Sequence, residues 1–371
     1  MLPDDFFTHI ENQFNNSLPF AAYRKPNDSV AKALLQNTDN LYTTQEFKES
    51  GFVFAPFDNS QQTVLIPLEG SEFLTCEIED GTNSNSSKNN VEVKDVDKES
   101  HLNLVEKGIE SIQESHLKKV VLSRFESIQF SETKSISVFN RLLQNYPKAF
   151  VYCWYHPKVG LWLGATPETL LSVSGNRFKT MALAGTQAYK DSTDVNWKEK
   201  EREEQQFVTD YIEDRLKSSV SSISISEPKT IKAGNLLHLQ SNISGILDTD
   251  LNSVLKKLHP TPAVCGLPVE EAKTFILENE SYNREFYTGF LGELNLMETT
   301  SRNTNSRNVE NNAYSSVKTV SNMFVNLRCM QVKNNQAIIY VGGGITKDSN
   351  PEHEWEETVS KAETMKRVLI S

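Results

Sequence analysis

Cysteine is scarce in this sequence. Four residues, Cys76, Cys153, Cys265 and Cys329, are spread over 371 positions, and none forms a C-x-x-C pair. That pattern excludes a disulfide framework and a thiolate zinc site. Isolated thiols with apolar neighbours fit a reducing compartment. Positive charge is in deficit as well: 38 Lys and Arg stand against 49 Asp and Glu, a formal charge of −11. A phosphate backbone or an anionic membrane surface needs clustered Lys and Arg, so neither nucleic acid nor membrane is an expected partner. A small anion stays open, because it reads only the local field of its pocket. No apolar run approaches the ~20 residues that cross a bilayer. The N-terminus, MLPDDFFTHIENQ, lacks the basic-then-apolar plan of a signal peptide. The expectation is a soluble cytoplasmic protein. Seven histidines form no metal array, and HEWEE at 353–357 lacks the second His of a zincin.

What is present is globular: 37% hydrophobic and 23% charged residues, with length enough for a large core. Two polar stretches, roughly 80–100 and 298–316, are rich in Asn, Ser and Asp and read as loops. The first sets a divergent part, 1–100, apart from 101–371 within one large domain. Strand-like runs lie at 119–130, 150–155, 160–164, 169–174, 323–332 and 336–341. Helical patterns lie at 103–115, 137–145, 195–218, 269–279 and 351–369. Turns as short as HPKVG and VKNNQ cannot hold a parallel crossover. They predict antiparallel sheets with helices outside, an α+β (mixed α/β) class and not a doubly wound dinucleotide fold.

Several side chains sit where the pattern does not want them. In the 195–218 helix, Val208, Ile212 and Leu216 recur every four residues, and one step back is Glu204. A carboxylate on an apolar stripe is costly unless paired, whereas Glu199, Glu201 and Glu203 read as solvated. In the last helix, Glu354, Glu357 and Lys361 share a face with Met365 and Val368. Two carboxylate-bearing helices without His or thiolate partners suggest an oxygen-ligand site, which favours Mg²⁺ over zinc. Gly342-Gly343-Gly344 reads as a turn between strand and helix whose N–H groups could face an anion. Arg328 reads as a residue inside a strand buried on both faces, in need of an anionic partner: a structural acid or a substrate carboxylate. Lys119 opens an apolar strand, and Glu168 lies in the turn ATPE.

Eight segments in order resemble the chorismate-utilising enzymes, and among them the isochorismate synthases. They are KVVLSR (119–124), GATPETLL (164–171), MALAGT (181–186), EEQQFVTDYI (203–212), LHPTPAVCGLP (258–268), REFYTGFLGE (284–293), VNLRCM (325–330) and YVGGGITKDSNPEHEWEETVSKAETM (340–365). The resemblance implies two antiparallel sheets packed face to face, with helices outside. It implies Mg²⁺-dependent isomerisation of chorismate to isochorismate, by water addition at C2 and loss of the C4 hydroxyl. It makes Lys119 the general base and Glu168 the general acid. Glu204 and Glu357 become Mg²⁺ ligands, with Glu354 ligating or standing just behind. Arg328, Lys361, Gly185, Thr186 and Gly344 form the carboxylate cradle, with Ala263 and Tyr287 as further substrate contacts. Lys119 must then be neutral and Glu168 protonated, which asks for burial.

Members of the family often carry Glu-His where this chain has Glu204-Gln205, so differences around the metal are expected, not its loss. Aminating relatives, which make anthranilate or aminodeoxychorismate, carry Gln at the place of Lys119. Salicylate synthases carry Thr at the place of Ala263. Both are less close readings than isochorismate synthase. The resemblance suggests a monomer. It leaves menaquinone, siderophores and salicylate as destinations of the product, with menaquinone expected.

Overall fold

Alternation along one strand shows how the molecule is layered. In Phe150–His156 the residues Phe150, Tyr152 and Trp154 point into a core made with Phe52, Phe54, Phe286 and Phe324. Val151 and Cys153, between them, point the other way, into a core made with Phe139, Leu142, Met365 and Val368. The period of two therefore separates aromatics on one face from aliphatics on the other. The structure, a computed structural model, describes residues 1–78, 95–189, 192–233, 236–300 and 316–369.

In chain order the first elements are α1 (Pro3–Asn15), β1 (Phe20–Arg24), β2 (Val30–Gln36), β3 (Tyr42–Thr44), β4 (Gly51–Ala55), β5 (Thr63–Pro67) and β6 (Ser71–Glu77). Next come α2 (Asp95–Glu114), β7 (Lys119–Gln129), α3 (Ser135–Asn145), β8 (Phe150–His156), β9 (Gly160–Thr166), β10 (Thr169–Ser174) and β11 (Arg177–Ala188). Then follow α4 (Glu199–Leu216), β12 (Val220–Ile225), β13 (Lys229–Ala233), β14 (Leu236–Leu247), α5 (Leu251–Leu258), β15 (Gly266–Leu267) and α6 (Val269–Asn279). The last are β16 (Phe290–Thr300), β17 (Ser316–Val325), β18 (Cys329–Lys333), β19 (Gln336–Ile345) and α7 (Pro351–Leu369).

One sheet has the order β15-β7-β19-β18-β9-β8-β1-β2-β6. The other has β12-β14-β11-β10-β17-β16-β4-β5-β3, with β13 also on β14. Adjacent strands are antiparallel, for example Tyr340 against Phe125 and Met323 against Leu171. An aromatic core lies between the sheets: Phe150 stacks on Phe324 at 4.1 Å, and Phe54 on Phe286 at 4.3 Å. Helices α1, α3 and α7 cover the outer face of the first sheet, and α4 and α5 that of the second. This is the α+β architecture expected from the sequence.

Residues before 100 supply three strands to each sheet, and the sequence reading named none of them. Phe20–Arg24 explains why: all five residues are buried, so no alternation shows. Helix α2 begins at Asp95, inside the stretch read as a loop, and eight residues before the expected start at 103. The rest of that loop, 79–94, and most of the second, 301–315, lie outside the described residues. The 195–218 helix is narrower, Glu199–Leu216. The short turn at 334–335 is a two-residue hairpin, with Asn334 and Asn335 at φ of 53° and 56°.

Two expectations need correction. The segment 323–332 is not one strand. Its first part ends β17 in one sheet at Val325, and its last part begins β18 in the other at Cys329. Arg328 sits in the crossing, at φ 48°. A chain leaving one core for another is apolar on both faces throughout, which mimics a doubly buried strand. Nor are Gly342–Gly344 a turn. They lie inside β19, paired with Ser123, Leu122 and Val121 of β7.

Candidate active site

The chain changes sheets at two adjacent places. β9 and β18 are partners in the first sheet, and β10 and β17 in the second. The β9–β10 link carries Glu168, and the β17–β18 link carries Arg328. Backbone bonds bind the two links together: Val325 N–H donates to the Glu168 carbonyl at 3.0 Å, and Ala165 N–H to the Arg328 carbonyl at 3.0 Å. Side chains on these links have left both sheets and face the gap beyond. That gap is a cavity of about 680 Å³, its mouth included.

The cavity gathers nearly every residue singled out in the sequence. Lys119 comes from the start of β7 and Gly344 from β19. Gly185 and Thr186 come from β11, and Glu204 from α4. Ala263 and Tyr287 come from loops, and Glu357 and Lys361 from α7. Glu354 is the exception. It is buried one turn earlier on α7, where its Oε1 accepts from Ser349 at 2.6 Å and lies 3.1 Å from Lys200 Nζ.

Local backbone features aim these groups. The β11–β14 register slips between Ala184 and Gln187, a bulge that holds Gly185 at φ 70°. A Cβ there would stand 3.0 Å from the Cβ of Glu201, so the bulge seats closely on α4 only with glycine. Gly344 has a steric role as well. A Cβ on it would lie 2.8 Å from Lys119 Cε, so its bare backbone makes room for the lysine. Helix α7 starts at Pro351, with the Asn350 side chain accepting from His353 N–H. Its stripe buries Met365 and Val368 and carries Glu357 and Lys361 to the cavity wall.

The charges divide by partner. Lys361 Nζ lies 2.6 Å from Glu357 and donates to the Gly342 carbonyl at 2.8 Å. Lys119 Nζ is 3.9 Å from Glu204. Arg328 makes no side-chain hydrogen bond or ion pair among the described residues, although it lines the cavity. Glu168 is 4% exposed. Burial pushes its pKa up to about 8, with Arg328 and Lys119 only partly opposing that. Glu168 therefore holds its proton at neutral pH. Burial also pushes Glu357 upward, but Lys361 and Lys200 outweigh it and hold Glu357 below the usual carboxylate range. Glu354 is raised by burial and then by Glu357.

One cavity group, His238, and one buried acid on α4, Glu201, are not marked as functional by the sequence. His238, on β14, donates from Nδ1 to the Gly185 carbonyl at 2.8 Å. Burial, then Arg328, pushes its pKa down to about 4, so the ring is neutral and Nε2 is an acceptor. That Nε2 is buried without a partner, at the cavity wall. Nothing in the alternation of β14 marks it. Glu201 reads in the sequence as a solvated acid, yet its Oε2 is buried and unpartnered. Its spacing of three from Glu204, one helical face, was the available signal. Gln205 ties α4 to β14 by donating to Ser241 at 2.8 Å and to Thr209 at 2.9 Å.

The donor set suits a hard cation. A Cβ on Gly343 would lie 3.4 Å from Glu354 Oε2 and 4.0 Å from Glu357 Oε1, so both carboxylates converge on one strand position. Glu201, with its orphaned oxygen, and Glu204 add oxygen donors from α4. Among the described residues no three His, Cys, Asp or Glu side chains already form a ligand group. Glu357 and Glu354 are turned to Lys361 and Lys200 instead. Oxygen donors without thiolate fit Mg²⁺ in chemistry.

The sequence pattern described as chorismate binding enzyme matches residues 54–300, and a second pattern of that description matches 313–367. Isochorismate synthase MenF of Escherichia coli is 28% identical over 288 residues, 74% of this chain and 61% of that protein. The chain thus matches about three-fifths of that relative's length. The solved structure of the menaquinone-specific MenF of Escherichia coli has a TM-score of 0.73 at 21% identity, covering 95% of this chain and 88% of that one. A candidate 2,3-dihydroxybenzoate-specific isochorismate synthase of Bacillus anthracis has a TM-score of 0.76 at 22% identity, covering 98% and 99%. These likenesses share the two-sheet fold.

Proposed function

The chain belongs to the chorismate-binding enzyme family, and from that premise we propose that it is an isochorismate synthase. The observation that carries this reading is Glu168: a carboxylic acid that keeps its proton near neutrality, in one cavity with Lys119 and an unpaired Arg328. Hydroxyl departure needs such an acid.

Chorismate carries two carboxylates, which Arg328 and Lys361 would hold. Lys119 takes a proton from a water that attacks ring C2. Both ring double bonds shift, C1=C2 to C1=C6 and C5=C6 to C4=C5, and the C4–O bond breaks. Glu168 gives its proton to the departing hydroxyl, which leaves as water. One water enters and one leaves, so the sum is an isomerisation. Neutral His238 offers an acceptor to a substrate hydroxyl. Glu204, Glu354 and Glu357 would hold Mg²⁺, which would screen the ring carboxylate and orient the ring. Ala263 and Tyr287 shape the wall against which the ring rests. Menaquinone is the proposed destination of the product, supported by the MenF likeness in sequence.

The test is purified protein with chorismate, with Mg²⁺ or with EDTA, without ammonia, and with products separated by chromatography. Isochorismate that appears only with Mg²⁺ is expected. Salicylate with pyruvate would shift the reading to the salicylate synthases. An aminated product that needs ammonia would shift it to the aminating relatives.

A further inference from the structure

Arg284 is buried, and each of its five N–H groups has an acceptor. Nε and Nη2 grip Glu280 at 2.8 and 2.6 Å. Nη2 also donates to the Val121 carbonyl at 2.6 Å. Nη1 donates to the Val264 carbonyl at 3.1 Å and to Thr288 Oγ1 at 3.2 Å. Glu280 in turn accepts from the N–H and hydroxyl of Ser123, at 2.8 and 2.7 Å. Neither member of the pair lines the cavity. Each of the three segments held does: Val121 is two residues from Lys119, Val264 follows Ala263, and Thr288 follows Tyr287.

The third segment is strained. Glu285 and Thr288 have φ of 48° and 61°, and for a β-branched threonine that is a true outlier. Such a turn persists only where its surroundings over-determine it. Burying a guanidinium is costly, and a hydrophobic residue would fill the same space more cheaply. A planar five-donor fork that fixes three carbonyl or hydroxyl positions is what arginine alone supplies.

We infer that Arg284, clamped by Glu280, is a positioning residue for the reaction. It sets the distance between the strand of Lys119, the Ala263 loop and the Tyr287 turn. This rests on the isochorismate synthase reading. Arg328 and Lys361 grip the substrate from other elements, so loosening the clamp harms proton transfer from water more than substrate binding.

The test compares Arg284→Lys, Arg284→Gln and the neutral pair Arg284→Gln/Glu280→Gln. Arg284→Lys keeps a cation against Glu280 but not the fork. It should lower kcat by about 30-fold, with KM within about threefold. The neutral pair should regain most of the thermal midpoint that Arg284→Gln loses, without regaining kcat. A kcat that follows the thermal midpoint across the series, or wild-type kcat in Arg284→Lys, would overturn the inference. Hydrogen exchange without substrate gives a separate readout. In Arg284→Lys, amides of 119–123, 261–266 and 285–289 should exchange faster together, while β1 and β2 stay unchanged. Independent behaviour of the three segments sinks the clamp. Failure of the wild type to convert chorismate sinks only the reading beneath it.

Discussion

Two buried glutamates in this molecule meet opposite fates. Glu293 lies between the sheets and is 0% exposed. Burial alone would raise it, but Lys25 and Lys32 outweigh burial and hold its pKa low. Lys32 donates to it at 2.7 Å, Tyr23 at 2.9 Å and Asn322 at 2.8 Å. Glu168 is almost as buried and is pushed to about 8. The difference lies in donors, not in depth. A carboxylate surrounded by N–H and O–H groups is a structural bolt, here tying β1 and β2 to β16 and β17. A carboxylate denied such donors is a proton reservoir.

The comparison breaks most visibly at Lys119, the proposed base. Lys119→Ala should lower turnover about 10³-fold or more, while chorismate binding changes only a few-fold. Rapid-quench turnover beside a binding titration checks it, and near-normal turnover would remove Lys119 from the chemistry. Next comes the bolt. Glu293→Ala leaves one ammonium group, Lys32, a phenol and an amide without their acceptor, while Lys25 keeps Glu298 at 2.6 Å, and should destabilise by about 3–5 kcal/mol. Denaturant unfolding measures this, and turnover per folded molecule should stay normal. A loss of turnover at full folding would mean that the two regions are coupled.

Glu168→Gln should lower turnover by about 10²-fold yet stabilise the protein at pH 7.5, on the order of 4 kcal/mol. The sign follows from proton counts. Unfolded, the group loses its proton near 4.5; folded, it keeps it to about 8. The native state therefore binds the extra proton between those values, and stability falls as pH rises through that window. Glu168→Gln should flatten that fall, and wild-type turnover should decline above pH 8. Glu293 has the opposite slope: its contribution is present above 4.5 and is lost as acid carries pH down through its lowered folded value. Denaturant midpoints across pH separate the two slopes. The smallest effect concerns the cation: Glu357→Gln should raise the Mg²⁺ concentration for half-maximal binding about tenfold, read by calorimetry.

Much of the site was legible in residue order. Glu204, Glu357 and Lys361 betray themselves as charges on stripes that continue into Val208 and Met365, and these stripes are buried as expected. KVVLSR and ATPE announce their strands and turn. The rest was not legible, for identifiable reasons. Arg328 looks like strand interior because a sheet-to-sheet crossing has the apolar character of the strands it joins. Gly344 looks like a turn because its true constraint, the Lys119 side chain 2.8 Å from where a Cβ would lie, is a contact with β7, more than two hundred residues away in sequence. His238 carries no periodic anomaly at all, and Glu201 only its spacing of three from Glu204.

By itself, then, the sequence determined the class, the helices with misplaced charges and the set of groups available for chemistry, because those follow from local period and composition. Only the tertiary structure decided which glutamate is a bolt and which is an acid, and that Arg284 reaches three segments at once. Solvation and donor count are set by what the fold brings together, and no local window contains them.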